Sequence, residues 1–335
     1  MFEQIFTTSS MLEKPASIRP RKGVVIGAGQ VGMACVYSLL IQDCFDELVI
    51  QDIATEKVEG EVMDLMHGMP FITPTLLRAG TVADEGRDAD IVIITAGAAQ
   101  KPGESRLNLV ERNIAIFKDI LGDIVKYCPS AILLIVSNPV DIMTYVTLKL
   151  SGFPSYRVIG SGTVLDTARF RSLLAKKLDI DARSVHAYII GEHGDSEVPV
   201  WSTANVAGLK LLPDSCPDSW ENLTPSEQKE LNSIFEEVKN AAYEIIQRKG
   251  YTNYAIGLAV TDIIKAILHS QERILTLSSL VNGVYGIHDV CLGLPTVVNE
   301  KGVLKTVNLS LSDKEEKQLK KSAFILQGVF NQLNF

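Results

Sequence analysis

The chain has 335 residues, 46% of them hydrophobic and 21% charged, with a formal net charge of −8. That composition is globular and excludes disorder or collagen-like repeats, and the length exceeds the roughly 250–300 residues at which a single core stops growing, so two lobes are expected. The acidic balance argues against nucleic-acid binding, because nothing in bulk charge would release counterions from a phosphate backbone.

Residues 1–20 are polar, carry two prolines and show no periodicity, as an N-terminal arm would. They contain no basic stretch leading into an apolar one, and no run approaches the roughly 20 apolar residues of a membrane span. Cys35, Cys44, Cys128, Cys216 and Cys291 are widely spread, without CxxC or metal-ligand spacing. Free thiols in a reduced, cytoplasmic compartment are the expectation, with no membrane partner.

From Gly23 the pattern changes. Short apolar runs, VVI at 24–26, LVI at 48–50, IVII at 91–94 and ILLIV at 132–136, are separated by helix-length segments. Apolar strands alternating with helices predict a parallel sheet buried on both faces, with right-handed crossovers. Further on, AYII at 187–190 is a strand candidate leading into a polar loop, and residues 226–247 read as a helix with one charged face. Residues 277–303 have the β-branched content and glycine punctuation of antiparallel hairpins. Ser312-x-x-Glu315 is a capping box, followed by Leu319, Ala323, Leu326, Phe330 and Leu333 at helical spacing. The fold class expected is α/β: a Rossmann-type doubly wound sheet plus an α+β catalytic domain with antiparallel strands. The division runs as an arm over 1–20, a dinucleotide-binding domain over 21–160 and a substrate-binding domain over 161–335.

Gly27, Gly29 and Gly32, with Gln30 and Val31 between the last two, fit GxGxxG directly between a strand and a helix. Gly27 permits the tight turn, Gly29 lets backbone approach a pyrophosphate and Gly32 allows close helix packing, while the helix N-terminus supplies amides and a positive dipole end. Asp52, 20 residues beyond Gly32 at the end of the second strand, suits the ribose hydroxyls and repels a 2′-phosphate. NAD rather than NADP is expected as cofactor.

Three more segments stand out: QKPGESR at 100–106, TVLDTARFR at 163–171 and GEHGD at 191–195. With the glycine loop and SNP at 137–139, they resemble the NAD-dependent L-lactate/malate dehydrogenase family, lactate branch, from about residue 20 to the end. The resemblance implies that His193 is the proton acid/base, since an imidazole near pKa 6.5 exchanges protons in both directions at working pH. It implies that Asp166 orients His193 and that Arg169 binds the substrate carboxylate as a planar fork. It further implies that Arg106 polarises the substrate carbonyl from a mobile loop running from Ala98 to about Leu107. Asn138 would orient substrate and cofactor, and Thr252 would line the pocket. Gln100 would face the group on C3, where a neutral amide accepts the methyl of pyruvate and leaves a second carboxylate unpaired. The expected reaction is pyruvate to lactate, at the fermentative end of glycolysis, with malate or a broader 2-hydroxy acid as the alternative substrate.

Arg171 and His186 match positions that bind fructose 1,6-bisphosphate between subunits in allosteric bacterial members of the family, although members lacking that regulation also keep both. The family is usually homotetrameric. Tyr145 and Lys149 fit the Tyr-x-x-x-Lys pair of short-chain dehydrogenases, but that family spaces its glycine loop differently. His186 and His193 lack a third ligand at metal spacing, so no metal is expected. A dehydrogenase scaffold kept as a non-catalytic binding protein would be expected to lose catalytic groups, and here His193, Asp166, Arg169 and Arg106 are all present.

Overall fold

The four apolar runs are the middle of a sheet. In the computed structural model, which describes residues 19–98, 106–212 and 223–333, they form β1 (Lys22–Ile26), β2 (Glu47–Gln51), β4 (Ile91–Ile94) and β5 (Ile132–Ile135). Strands β3 (Leu76–Ala79) and β6 (Val158–Gly160) complete a parallel set in the order β6-β5-β4-β1-β2-β3. Side chains alternate across a strand, and here both faces are apolar: Val92, Ile94, Leu133 and Ile135 pack on one side, Ile91, Ile93, Ile132 and Leu134 on the other. The helices that cover them follow their strands in turn: α1 (Gln30–Ile41), α2 (Thr55–Gly68), α3 (Arg106–Tyr127) and α4 (Val140–Ser151). The strand order reverses between β1 and β4, and the crevice beyond their carboxyl ends is where such sheets bind ligands.

After β6 comes α5 (Val164–Leu178), then a separate antiparallel sheet of β7 (Val185–Ile190), β8 (Val198–Val206) and β9 (Leu209–Lys210). Helix α6 (Pro225–Lys249) backs it, and Phe170 of α5 meets Trp201 of β8 edge-on with ring centroids 4.8 Å apart in the small core between them. The chain then runs through α7 (Tyr254–Leu268), β10 (Arg273–Val281), β11 (Val290–Asn299), β12 (Gly302–Thr306) and α8 (Asp313–Phe330).

The last antiparallel strands are not where the pattern alone would put them. Strands β10, β11 and β12 extend the first sheet to nine strands, joined where Ser278 pairs with Gly160 of β6. Close approach makes that junction: a Cβ on Gly160 would lie 2.3 Å from Thr144 Oγ1 and 2.9 Å from Ser278 Cβ. The large sheet is therefore continuous past residue 160, and among the described residues β7–β9 form a separate sheet.

The capping box of α8 does more than start a helix. Glu315, 5% exposed, accepts from the Ser312 N–H at 2.9 Å and also from the N–H groups of Trp201 and Ser202 at 2.8 and 3.0 Å, fastening β8 to the C-terminal helix. Removing the carboxylate strands buried donors, so Glu315→Ala is expected to cost about 3 kcal/mol and Glu315→Gln less. Urea unfolding at equilibrium measures this, and a loss under about 1 kcal/mol for Glu315→Ala would show that those donors find other partners.

Candidate active site

The nucleotide cradle lies at the β1/β4 switch point. Gly27 has φ +108°, and a Cβ there would meet the Ala96 backbone N at 2.6 Å. A Cβ on Gly32 would come within 1.8 Å of the Gly27 carbonyl O, so only hydrogen permits α1 to start this close to the turn. Gly29 caps α1 and is the opposite case: nothing lies within 4 Å of its missing Cβ, which leaves open space over the helix N-terminus for a phosphate. Gln30 and Val31 begin that helix. Asp52 follows β2 directly, and its carboxylate accepts the Ala28 N–H at 2.7 Å and the Ala54 N–H at 3.0 Å, while Lys57 Nζ donates to the Ala28 carbonyl at 2.7 Å. The cradle fits a dinucleotide: an open glycine turn, helix N-terminal amides and a carboxylate held at the rim.

The second half of the site is a histidine loop between β7 and β8. Four distant segments pin it. Gly191 (φ +90°) exchanges two backbone hydrogen bonds with Gly293 of β11, both 2.8 Å. The Glu192 N–H donates to Ser322 Oγ of α8 at 2.8 Å, and the His193 N–H donates to Asp141 Oδ2 of α4 at 2.7 Å. From α5, Thr167 Oγ1 accepts the Ile189 N–H at 3.0 Å and Thr163, just ahead of that helix, donates to the Ile189 carbonyl at 2.6 Å. These contacts deliver Asp166, in the first turn of α5, to the ring: His193 Nδ1 lies 2.5 Å from Asp166 Oδ2, and Arg169 Nη1 donates to Asp166 Oδ1 at 2.8 Å.

Electrostatics follow from that geometry. The negative charge of Asp166 lifts His193 to about 9, against burial, which works the other way. Burial alone would raise Asp166, but the charges and hydrogen bonds of His193 and Arg169 outweigh it and hold the carboxylate below its usual range. Asp141 is pushed up to about 6 by burial, opposed by Ser278 and the His193 N–H. The pair is thus an imidazolium–carboxylate at neutral pH, with Nδ1–H committed to Asp166 and Nε2 left to exchange a proton.

The structure brings His193, Asp166 and Arg169 together as the sequence led one to expect. Asn138 is exposed at the end of β5, and Thr252 is half-buried in the α6–α7 connection; neither is hydrogen-bonded to that trio. Gln100 and most of the loop ending near Leu107 lie outside the described residues, as does the Arg106 side chain. Helix α3 starts at Arg106. Arg171 Nε donates to the Ala187 carbonyl at 2.9 Å with its guanidinium over the Tyr188 ring, and His186 is exposed. Tyr145 and Lys149 both bind Asp289, at 2.9 and 3.1 Å, which accounts for the Tyr-x-x-x-Lys spacing as packing. Sequence reasoning missed Asp141 and Asn113. Asn113 is fully buried in α3 and ties the Ala98 N–H (2.7 Å) to the Asn138 carbonyl (3.1 Å); an amide on the same stripe as Val110, Ile114 and Phe117 was the available signal.

A nucleotide cradle at one switch point and a proton-exchanging histidine beside it suit removal of two hydrogens from a carbon–oxygen centre, the work of a nucleotide-dependent oxidoreductase. Comparison with known proteins narrows the class. Residues 21–160 match the model of the lactate/malate dehydrogenase NAD-binding domain, and residues 163–334 that of the lactate/malate dehydrogenase alpha/beta C-terminal domain. An L-lactate dehydrogenase of Gloeobacter violaceus is 57% identical over 314 residues, 94% of each chain. The L-lactate dehydrogenase B chain of Anguilla rostrata is 50% identical over 316 residues, 93% of each. The crystal structure of a minor L-lactate dehydrogenase from Enterococcus mundtii superposes with a TM-score of 0.87 at 41% identity, covering 94% of this chain and 99% of that one. The chain belongs to the lactate/malate dehydrogenase family and uses NAD as its cofactor.

The Asp166–His193 bond sets a pH window. Because His193 is raised, its charged form is favoured below about 9 and lost as pH rises through that value. In Asp166→Asn the ring should titrate near its ordinary ~6.5, so the alkaline limb of ketoacid reduction moves down by about two pH units. NMR titration of the His193 ring checks this; an unmoved pKa in the variant would show that Asp166 is not the cause.

Proposed function

We propose that this protein is an L-lactate dehydrogenase interconverting pyruvate and L-lactate, with His193 as proton donor and acceptor. The observation that carries the proposal is one buried carboxylate, Asp166, holding both His193 and Arg169. In the reducing direction the His193 imidazolium gives a proton to the substrate oxygen as that oxygen gains negative charge. In the oxidising direction the neutral ring takes the hydroxyl proton back. Asp166 keeps the proton on Nδ1 and stabilises the cation in both. Gly27, Gly29, Gln30, Val31, Gly32 and Asp52 would hold NAD, which would supply the hydride chemistry at C2. Arg169 binds the substrate carboxylate, with one edge of its guanidinium on Asp166 and the rest available. On the family resemblance, Arg106 polarises the carbonyl, Asn138 orients substrate and cofactor, Thr252 lines the pocket and Gln100 admits a methyl at C3.

In this reading residues 21–160 hold NAD and 161–335 supply the acid–base and carboxylate chemistry. A homotetramer, with the 1–20 arm reaching a neighbour, would cover apolar side chains exposed on α1 (Tyr37, Ile41), α2 (Met63, Met66) and α7 (Tyr254, Leu258). The buried free thiols of Cys35, Cys44, Cys128 and Cys291 suit a reducing cytoplasm. Among the described residues no helix is long and apolar enough to cross a membrane. Fructose 1,6-bisphosphate regulation at Arg171 and His186 would draw on the Nη groups of Arg171, whose Nε is held by the Ala187 carbonyl.

Two measurements test the reading. NADH oxidation with pyruvate and with oxaloacetate in parallel should give a higher kcat/KM for pyruvate, and Gln100→Arg should move the preference towards oxaloacetate by at least about tenfold. Equal or reversed values in the parent would transfer the protein to the malate side of the family. Titrating fructose 1,6-bisphosphate against activity at low pyruvate should raise activity if Arg171 and His186 are an effector site; a flat response assigns them to structure alone.

A further inference from the structure

Glu197 is a buried acid that the mechanism above does not use. It is the fourth residue past His193, on the loop that enters β8, and its side chain is part of the protein interior at 7% exposure. Its backbone N–H closes a turn onto the Gly194 carbonyl at 3.2 Å, which fixes the loop around it. Its Oε1 is fully buried with no hydrogen-bond partner among the described residues. On ionising, the carboxylate would carry negative charge on an oxygen, Oε1, that has neither water nor a donor among the described residues.

The groups around it are the site itself. The charges of Asp166 and Arg169 on α5, His193 on its own loop and Lys239 on α6 all act on it, while Asp141 of α4 reaches the same loop through the His193 N–H. Burial first and Asp166 second push Glu197 up to about 8, against the pull of His193, Arg169 and Lys239. The balance of charge then depends on its proton. With Glu197 neutral, the negative charges of Asp166 and Asp141 are set against the positive charges of His193, Arg169 and Lys239, leaving one positive charge for one substrate carboxylate. With Glu197 ionised, that surplus is already cancelled before substrate arrives, in a place where the low dielectric makes a like charge expensive.

We propose that Glu197 is a positioning residue: carried neutral, it leaves the spare positive charge of Arg169 to the substrate carboxylate, and on ionising it competes for that charge. The proposal rests on the reading of Arg169 as the carboxylate-binding group. It separates two events at alkaline pH. Ionisation of Glu197 weakens substrate binding and so acts on KM, whereas loss of the His193 proton stops the transfer and so acts on kcat.

The test is kcat and KM for pyruvate reduction between about pH 6 and pH 10, in the parent and in Glu197→Gln, which keeps shape and removes the charge. In the parent, KM should climb several-fold, at most about tenfold per pH unit, once pH passes about 8, while kcat is still level. In Glu197→Gln that early climb should vanish, leaving KM level while kcat falls as pH passes the His193 value of about 9. Superimposable KM profiles would overturn the proposal. Should the variant fail to fold, infrared titration of the parent with 13C-labelled glutamate still decides: a buried carboxylic-acid carbonyl band that disappears as pH passes about 8 supports it, and absence of any such band overturns it. Failure of the parent to reduce pyruvate would instead strike the functional reading, and the infrared titration would remain a separate test of Glu197.

Discussion

The carboxylate of Asp166 is shared between two cations and almost wholly removed from water, its side chain 4% exposed. A charge in that position is tolerable only if every lone pair facing the interior is answered. Here Oδ1 answers Arg169 and Oδ2 answers His193, and the first turn of α5 adds the positive end of a helix dipole. The arrangement is intolerant of error. Moving α5 by about an ångström relative to the histidine loop would break a bond to a buried charge, so the rest of the fold has to hold those two elements in register.

It does so with contacts that are far apart in sequence. Thr163 and Thr167 bind α5 to the last turn of β7, and the loop beyond is then gripped by β11, α8 and α4. Ser322, which holds the Glu192 N–H, is 130 residues away along the chain, and it is in place because the Ser312–Glu315 cap and the apolar stripe of Leu319, Ala323, Leu326 and Phe330 seat α8 against the sheet. The joining of β10 to β6 through Ser278 and Gly160 matters for the same reason, because it carries β11 and its Gly293 to the loop. The nine-stranded sheet is therefore the frame for both halves of the site, with preorganisation supplied by the Gly191–Gly293 backbone pair and by the buried side chains of Ser322, Asp141, Thr163 and Thr167.

What could be read from the sequence was what is local. Runs such as IVII at 91–94 declare a strand buried on both faces, Gly27–Gly32 declares a turn between strand and helix, and Ser312 with Glu315 declares a helix start, because each depends on neighbours a few residues away. The Asp166–Arg169 pair was legible as two residues three positions apart on one helix face. Asp141 was not: an acid in the first turn of a helix reads as dipole compensation, and only the fold shows that it faces a histidine amide 52 residues on. The same limit explains the antiparallel strands. Their alternation and turns were visible, but which sheet they join depends on a glycine in another strand that lets them approach. Tyr145 and Lys149 show the converse, a spacing that imitates a catalytic pair and serves to hold Asp289, with the tyrosine ring stacked 4.1 Å from Phe330.

The net charge of −8 gives these placements their meaning. An acidic protein that binds an anionic cofactor and an anionic substrate gains nothing from its long-range field, so the attraction has to be built at contact distance. At the substrate end the proposed group is Arg169, leaning on Asp166. At the cofactor end it is dipoles: the open N-terminus of α1 over Gly29, where no side chain intrudes. The acid at the rim of that cradle has a different task. Asp52 could not swing aside for an extra phosphate, because both of its oxygens are engaged by backbone, the Ala28 N–H at 2.7 Å and the Ala54 N–H at 3.0 Å. On the proposed placement of the cofactor, a carboxylate so fixed would present a constant negative charge to the adenosine ribose. Two hydroxyls can share it, whereas a 2′-phosphate would meet it as a like charge with no room for either to retreat, which is why the geometry of this cradle selects NAD.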